Sequence, residues 1–245
     1  MVSICESADL LGFLPADPFA ARITALFDTY GSDYGFAKFW VQTVDGMQMA
    51  AISSIDGEMT LCCLENTDFE ELSAFINAVG YSSVTCRAEH AAALGLKVQK
   101  SSHIVRFEGN SGADCNGISR DFDKRKIYDL LCLCGFELGA YEAFLADVCS
   151  RLNKGTASLA VIENGGEPLA CAFALFKGRK SVLLGAVATN PSARGRGYAS
   201  RAVSLLANEN SGKRVFLFCR NDGLADFYGK IGFQTDGRWA VAVKS

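Results

Sequence analysis

Two adjoining stretches decide the fold: "SVLLGAVATNP" at residues 181–191 and "SARGRGYASRAVSLL" at residues 192–206. The first stretch has the apolar run of a buried strand and ends at a proline, which stops it. The second begins with glycine and arginine and then carries the apolar spacing of an amphipathic helix, at positions 199, 202, 203 and 206. The sequence therefore predicts a strand, a glycine and arginine loop, and a helix whose first backbone N–H groups border the loop.

This loop has the composition of an anion-binding site. Gly195 and Gly197 allow the backbone to approach a ligand closely, and free N–H groups at a helix N-terminus attract anions. Arg194 and Arg196 add charge-assisted hydrogen bonds. The alternative is an exposed basic turn without a ligand. A nucleic-acid site is disfavoured, because no RGG repeats or interleaved aromatic residues follow.

The composition is that of a globular protein. The chain has 245 residues, of which 49% are hydrophobic and 21% charged, so one large domain or two small ones can each bury a core. The formal net charge of -3 does not favour general nucleic-acid binding. We therefore expect no nucleic-acid partner.

The N-terminal residues and the apolar runs favour a cytoplasmic protein. Residues 1–19 carry Glu6, Asp9 and Asp17 and no basic segment, so they do not resemble a signal peptide. The longest apolar run, at 169–176, is far shorter than the ~20 residues that cross a bilayer. We expect no membrane partner.

The ten cysteines indicate a reduced core and not a metal site. Most lie within apolar segments, such as "MTLCCLE" and "LACAF", where a free cysteine packs as a small hydrophobic residue. The chain has no CxxC pair and only two histidines, whereas structural zinc favours such spacing. We therefore expect no metal.

The chain reads as two similar halves. In each half, helical spacing is followed by three strands and then by helix, strand, helix and strand; in the first half two Asp-Gly turns join the three strands within residues 36–65. We therefore predict an α/β (α+β) fold of two tandem domains, each a mixed, mostly antiparallel sheet flanked by helices. The domains are placed at 1–110 and 126–245. Residues 111–125, in a stretch rich in Gly, Asn and Ser, are the predicted linker.

Two motifs in the second half carry a family resemblance. They are Arg194-Gly-Arg-Gly197-Tyr-Ala199, and Asn221 followed by Tyr228-Gly-Lys-Ile-Gly-Phe233. In order, spacing and flanking strands, residues 126–245 resemble the GCN5-related N-acetyltransferase (GNAT) family, whose coenzyme motif is Arg/Gln-x-x-Gly-x-Gly/Ala. The first half resembles a degenerate copy, as in tandem members of the family, because its chain passes into the corresponding helix without a glycine and arginine loop.

The resemblance implies acetyl-CoA as co-substrate and a set of site residues. The loop would hold the diphosphate, and backbone groups of the preceding strand would bond the pantetheine amides. Asn221 and Phe227 would contact the coenzyme, and Tyr228 would protonate the departing thiolate as the catalytic general acid. The strand and loop residues implied in coenzyme binding are Val187, Ala188, Thr189, Arg194, Gly195, Arg196, Gly197, Tyr198, Ala199 and Ser200.

The general base is left open by the sequence. Many members of the family carry a glutamate on the strand before the loop, but "SVLLGAVATN" contains no acidic residue. Deprotonation of the acceptor could use an ordered water, or Glu137, Tyr141 or Glu142, or no base at all.

The resemblance implies an N-acetyltransferase that transfers an acetyl group from acetyl-CoA to a primary amine by direct attack in a ternary complex. The alternative is a catalytically inactive protein of the same fold that binds CoA or another ligand. The acceptor would be a small-molecule or peptide amine, and the first half would close one side of its cleft. The identity of the acceptor is open, and the protein would be a monomer or a homodimer.

Overall fold

A computed structural model of the protein describes residues 1–32, 34–109, 118–119 and 122–244. The predicted linker lies largely outside the described residues, because 111–117 and 120–121 are not among them. The domain boundaries at 1–110 and 126–245 therefore stay a prediction.

The first half begins with a short strand and then follows the predicted order of elements. Its strands are β1 (Val2–Ile4), β2 (Ala37–Val44), β3 (Met47–Ile55), β4 (Glu58–Cys63), β5 (Ser83–Arg87) and β6 (Val98–Phe107). Its helices are a 3-10 turn (Ala8–Leu11), α1 (Pro18–Tyr30), α2 (Phe69–Val79) and α3 (Ala88–Ala93).

The second half repeats this order with one more helix. Its strands are β7 (Ile118–Ser119), β8 (Ser158–Asn164), β9 (Glu167–Lys177), β10 (Ser181–Thr189), β11 (Arg214–Phe218) and β12 (Phe233–Val243). Its helices are α4 (Lys124–Leu133), α5 (Tyr141–Asn153), a 3-10 turn (Pro191–Ala193), α6 (Tyr198–Glu209) and α7 (Asp222–Gly229). The short outer strands β1 and β7 are absent from the sequence-based prediction.

Local sequence signals explain several of these boundaries. The turn at Asp45 and Gly46 has positive φ at both residues (50° and 79°), as does the turn at Asp56 and Gly57 (48° and 83°). This is the backbone that a tight two-residue hairpin requires, so β2, β3 and β4 form a meander. Helix α1 begins where the side chain of Asp17 accepts a hydrogen bond from the N–H of Phe19, with a proline at the first helical position.

The described strands join in one twelve-stranded sheet with the order β1-β2-β3-β4-β5-β12-β6-β11-β10-β9-β8-β7. The pairs β4–β5 and β10–β11 are parallel and the others are antiparallel. The predicted class of mixed, mostly antiparallel sheets flanked by helices is confirmed.

The last strands of the two halves are exchanged, which the sequence does not predict. Strand β12 of the second half pairs with β5 of the first half, and β6 of the first half pairs with β11 of the second. Strands β6 and β12 also pair with each other over most of their length. Each half therefore completes its sheet with a strand from the other half.

Helix α1 of the first half lies against β9 and β10 of the second. At Gly178, in the turn between these strands, a Cβ atom would come within 2.6 Å of Ala21 Cα and 2.5 Å of Thr24 Oγ1, so only glycine fits without displacement. Ser181 Oγ donates to the backbone carbonyl of Asp17 at 2.7 Å. These contacts fix α1 over the sheet of the second half.

An ion-pair network ties the exchanged strand to the first half. The guanidinium of Arg87, at the end of β5, contacts Asp17 at 2.7 Å and Asp236 on β12 at 3.1 Å. Asp236 also pairs with Arg106 of β6 at 3.3 Å. The pairs are mostly buried, and loss of one partner would leave an uncompensated charge.

In the described ranges, no helix is both long enough and apolar enough to cross a membrane.

Candidate active site

The parallel pair β10–β11 opens into a gap at the centre of the second half. Their register runs only from Ser181 to Leu184, and β10 continues to Thr189 without a partner on β11. Against β9, β10 carries an irregularity between Gly185 and Ala188. Ala186 within it has φ 46°, which residues other than glycine rarely adopt and which often marks a functional site. The end of β10 therefore presents backbone groups to an open gap, where an extended ligand could pair with them.

The loop after β10 leads into a helix that no side chain caps. Gly195 and Gly197 have φ values of 77° and 75°, and Gly197 is the N-cap residue of α6. No described side chain bonds the first N–H groups of α6, and a Cβ atom at either glycine would meet nothing within 4 Å. Orphan N–H groups at the positive end of a helix form an anion-binding site.

In the first half, the N-terminus of the corresponding helix, α2, is capped by the carboxylate of Asp68. Asp68 Oδ1 accepts a hydrogen bond from the N–H of Glu71 at 3.0 Å, at the start of α2. The N–H of Asp68 donates a hydrogen bond to Gln42 Oε1 at 3.1 Å. Strand β4 also pairs with β3 without a register shift. The first half thus fills the position that stays open in the second.

The gap and the loop form one cleft of about 720 Å³, a volume usual for small-molecule sites. All the site residues that the sequence predicts line this cleft, except Asn221. The predicted residues brought together are Val187, Ala188, Thr189, Arg194, Gly195, Arg196, Gly197, Tyr198, Ala199, Ser200, Phe227 and Tyr228. Whether they bind the coenzyme stays a prediction.

Asn221 lies outside the cleft lining and caps a helix. Its Oδ1 accepts a hydrogen bond from the N–H of Leu224 at 3.0 Å, which makes Asn221 the N-cap residue of α7. The side chain thereby fixes the start of the helix that carries Tyr228. Its predicted contact with the coenzyme is not tested by this geometry and stays a prediction.

Tyr228 lies on α7 at the inner wall of the cleft and is only 4% exposed. Its ring packs against Phe227 and Phe233, with centroid distances of 5.0 and 5.8 Å. Burial raises the pKa of the phenol well above its ordinary value, and the neighbouring Cys219 adds to the rise. Tyr228 is therefore protonated across the neutral range and can act as a proton donor.

The connection between α4 and α5 also reaches the cleft, which the sequence motifs do not predict. Cys134 and Phe136 line it, and Cys134 Sγ donates to the carbonyl of Thr189 at 3.3 Å. Arg220, which follows β11, lies over the Phe136 ring at 5.1 Å. Cys134 and Phe136 are far from the loop in sequence and match no motif, whereas Arg220 immediately precedes Asn221 and lies outside the quoted motifs.

A second cleft of about 980 Å³ meets the first. The two share Arg22, Leu175, Phe176 and Ala186. Its walls come from α1 of the first half and α5 of the second, so the first half does line one side of it. Of the three candidate bases, Glu137 lines this cleft, whereas Tyr141 and Glu142 are not among its lining residues.

Within the residues that the structure describes, no three His, Cys, Asp or Glu side chains are grouped as a metal ion would require.

The comparisons with known proteins agree with the fold. Residues 155–235 match the family model described as "Acetyltransferase (GNAT) domain". No match was found among the curated proteins.

Solved structures with a similar fold span nearly the whole chain. A tandem GNAT protein from the clavulanic acid biosynthesis pathway is 12% identical, with a TM-score of 0.59 over 98% of this chain and 97% of its own. A GCN5-related N-acetyltransferase from Kribbella flavida is 15% identical, with a TM-score of 0.59 over 94% and 96%. A Drosophila protein is 12% identical, with a TM-score of 0.62 over 99% and 98%.

At these identities the structural likeness concerns the fold, and the family model adds the domain. Residues 155–235 therefore match a GNAT acetyltransferase domain, and the chain as a whole has a fold similar to that of a tandem GNAT structure.

Proposed function

We propose that the protein is an N-acetyltransferase that moves an acetyl group from acetyl-CoA to a primary amine. The observation that carries the proposal is the uncapped, glycine-preceded N-terminus of α6, which borders the open end of β10. The first half lacks both features, so we propose one coenzyme site per chain.

Acetyl-CoA would supply the activated thioester, and the residues of the chain would hold it. The N–H groups at Gly197 and the start of α6 would bond the diphosphate, with Arg194 and Arg196 contributing positive charge. Backbone groups from Val187 to Thr189 would pair with the pantetheine arm as if it were a further strand. The carbonyl of Thr189 already accepts from Cys134, so the N–H groups and the carbonyl of Val187 are the more available partners.

Tyr228 would hold the proton that the leaving thiolate needs. Its raised pKa keeps the proton on the phenol until a basic group forms beside it. Burial disfavours both a free thiolate and the phenolate that proton transfer leaves, so the phenol would donate its proton only as the thiolate departs and would regain one from water. The acceptor would enter through the second cleft, where Glu137 is a candidate to receive the proton of the amine.

Direct transfer is proposed because, among the residues that the structure describes, no activated nucleophile lines the cleft. Cys134 is the cysteine in its lining, and its thiol donates to a backbone carbonyl. Of the two histidines, His103 pairs with Asp222 and His90 packs on Phe69, so neither activates Cys134. The acceptor is proposed to be a small-molecule or peptide amine, and the proposal includes no nucleic acid, membrane or metal.

A free-thiol assay with acetyl-CoA and a panel of amines tests this function. The proposal predicts amine-dependent release of CoA thiol and an acetylated amine detectable by mass spectrometry. Binding of acetyl-CoA without thiol release against a broad panel would favour the inactive ligand-binding alternative. Absence of binding at millimolar acetyl-CoA would refute both functions.

A further inference from the structure

Arg22 lies where the two clefts meet and comes from the half without a coenzyme cradle. Together with Leu26, Thr29 and Tyr30 it forms one face of α1, at helical spacing, along the wall of the second cleft. Arg22 alone of these four also lines the first cleft. Its guanidinium is thus placed between the coenzyme side and the open side of the site.

The guanidinium of Arg22 has almost no partners in the described part of the chain. Its Nε atom is buried and makes no hydrogen bond. The nearest carboxylate is Glu58, whose Oε2 lies 3.8 Å from an Arg22 terminal nitrogen, beyond hydrogen-bond distance. The Glu58 side chain is 64% exposed and that of Arg22 is 22% exposed. A largely buried guanidinium whose Nε–H has no acceptor is costly unless a ligand or water satisfies it.

A second arginine reinforces the positive charge. Arg151 on α5 has a buried Nε without a partner, and the guanidinium groups of Arg22 and Arg151 lie 5.4 and 5.1 Å from the centroid of Phe176. Asp147 is already engaged, because it pairs with Arg151 and accepts from Tyr30 at 2.5 Å. Burial is the main cause that lowers the pKa of the Arg22 guanidinium. The charge of Arg151 lowers this pKa further, whereas the charge of Glu58 raises it.

Arg22 lacks a close carboxylate partner, although Asp56, Glu58 and Glu137 also line the second cleft. Arg151 is balanced by Asp147, and Glu58 is too distant and too exposed to satisfy Arg22. A planar carboxylate carries one charge and matches the fork of a guanidinium with two parallel hydrogen bonds. A phosphate dianion would bring a second negative charge close to the carboxylates that line the second cleft.

We propose that the acceptor carries a carboxylate besides its amine, as an amino acid does, and that Arg22 binds this carboxylate as a specificity-determining residue. The carboxylate would lie at the junction of the clefts, and the amine would point towards Ala186 and the coenzyme side. The inference rests on the proposed acetyltransferase function and names the substrate class of that same site.

Matched pairs of acceptors test the inference. The free-thiol assay is run with amino acids, phenylalanine and glycine among them, and with the carboxamide of each. For the best amino acid, the wild-type protein should show a kcat/KM at least about tenfold above that of its amide, as expected for a charged hydrogen-bonded pair. Equal use of acids and amides would overturn the inference.

Substitution of Arg22 gives the second arm. Arg22→Gln should remove the preference for the acid over the amide, and Arg22→Lys should keep only part of it, because lysine retains charge without the fork. Arg125→Gln, an exposed arginine on α4 outside both clefts, is the matched control and should keep the preference. An unchanged preference in Arg22→Gln would overturn the proposal.

Stability and binding separate this role from a structural one. Because the Arg22 Nε–H has no acceptor and Glu58 lies 3.8 Å away, Arg22→Gln should change the melting temperature little, whereas loss of a close structural ion pair would lower it clearly. Calorimetry should show acetyl-CoA bound equally by wild type and Arg22→Gln, and N-acetyl amino acids bound more weakly by the variant in the presence of CoA. Normal acetyl-CoA binding with no preference for carboxylates would reject this inference alone. Absence of acetyl-CoA binding would reject the proposed function with it.

Discussion

Tyr228 is held by the core of the second half although it borders the cleft. Its ring belongs to the same packed cluster as Phe233 and Cys219, which leaves the phenol little freedom to reorient. Asn221 acts indirectly. Its Oδ1 accepts a hydrogen bond from the N–H of Leu224 and so fixes the start of the helix that carries Tyr228. The position of the proposed proton donor therefore depends on one helix cap and on aromatic packing.

Replacement of Tyr228 by phenylalanine should lower turnover about a hundredfold, within the usual range for loss of a general acid. The dissociation constant of acetyl-CoA should stay within about threefold, because the ring and its packing remain. Steady-state kinetics and calorimetry measure the two quantities. Tyr81→Phe, in the first half and outside both clefts, is the control. Unchanged turnover in Tyr228→Phe would remove this residue from the mechanism.

At the scale of elements, both halves contain the same succession of strand, loop and helix, but the N-termini of the two helices differ. In the first half Asp68 caps α2, and a regular β4 precedes it. In the second half the irregular β10 and the glycine loop leave α6 uncapped. The connection after α4 then covers the end of β10 through Cys134. The proposed coenzyme binding would therefore follow from the uncapped N-terminus of α6, on a scaffold that both halves share.

Alkylation of Cys134 reports on this arrangement. Its thiol lies in the cleft beside Thr189, whereas Cys132 is exposed, two residues away, and outside the cleft. Acetyl-CoA should slow the reaction of iodoacetamide with Cys134 and leave that of Cys132 unchanged, as peptide mass spectrometry can quantify. Equal alkylation of Cys134 with and without saturating acetyl-CoA would place the coenzyme elsewhere.

At the scale of the whole molecule, the exchange of β6 and β12 makes the two halves interdependent. Each of these strands is long and completes a sheet begun by the other half. The junction carries the Arg87 ion-pair network, and α1 lies over the sheet of the second half. The proposed active site in the second half thus requires the first half for its support and for Arg22.

Separated halves should therefore not fold alone. A fragment of residues 1–110 lacks β12 beside β5, and a fragment of residues 118–245 lacks β6 beside β11, so each exposes unpaired strand edges. Circular dichroism and size-exclusion chromatography should show aggregated or unfolded fragments, and a folded complex after co-expression. A monomeric 118–245 fragment with a cooperative melt would contradict the interdependence.

Buried thiols should make the protein less stable at high pH. Burial raises the pKa of Cys86 and Cys171 to about 12 and that of Cys219 to about 11, from about 9 in the unfolded chain. Above pH 9 the unfolded chain releases protons that the folded state retains, so the free energy of unfolding falls by up to ~1.4 kcal/mol per pH unit for each thiol. Urea titrations under reducing conditions at pH 8 and pH 10 measure this loss. Equal or greater stability at pH 10 would contradict the burial of these thiols.

The sequence predicts what lies close together along the chain. The strand, the glycine loop, α6 and Tyr228 all fall within about fifty residues, and their spacing indicates both the elements and the cleft that they line. The exchange of β6 and β12 could not be predicted, because either pairing buries the same apolar faces. Arg22 and Cys134 gave no signal, since only the packing of α1 and of the α4–α5 connection brings them to the site. Asn221 is also a residue type that favours a helix N-cap, a role that the family motif does not indicate.

Calorimetric titration of acetyl-CoA into wild type and Gly197→Val tests the central claim most directly. Valine at φ 75° is strained and its side chain would cover the uncapped start of α6. Gly46→Val, at φ 79° in the turn between β2 and β3, imposes the same strain away from the cleft and controls for stability. We predict one acetyl-CoA bound per chain in wild type and in Gly46→Val, and none in a folded Gly197→Val. No binding by wild type, two molecules per chain, or unchanged binding by Gly197→Val would contradict the account.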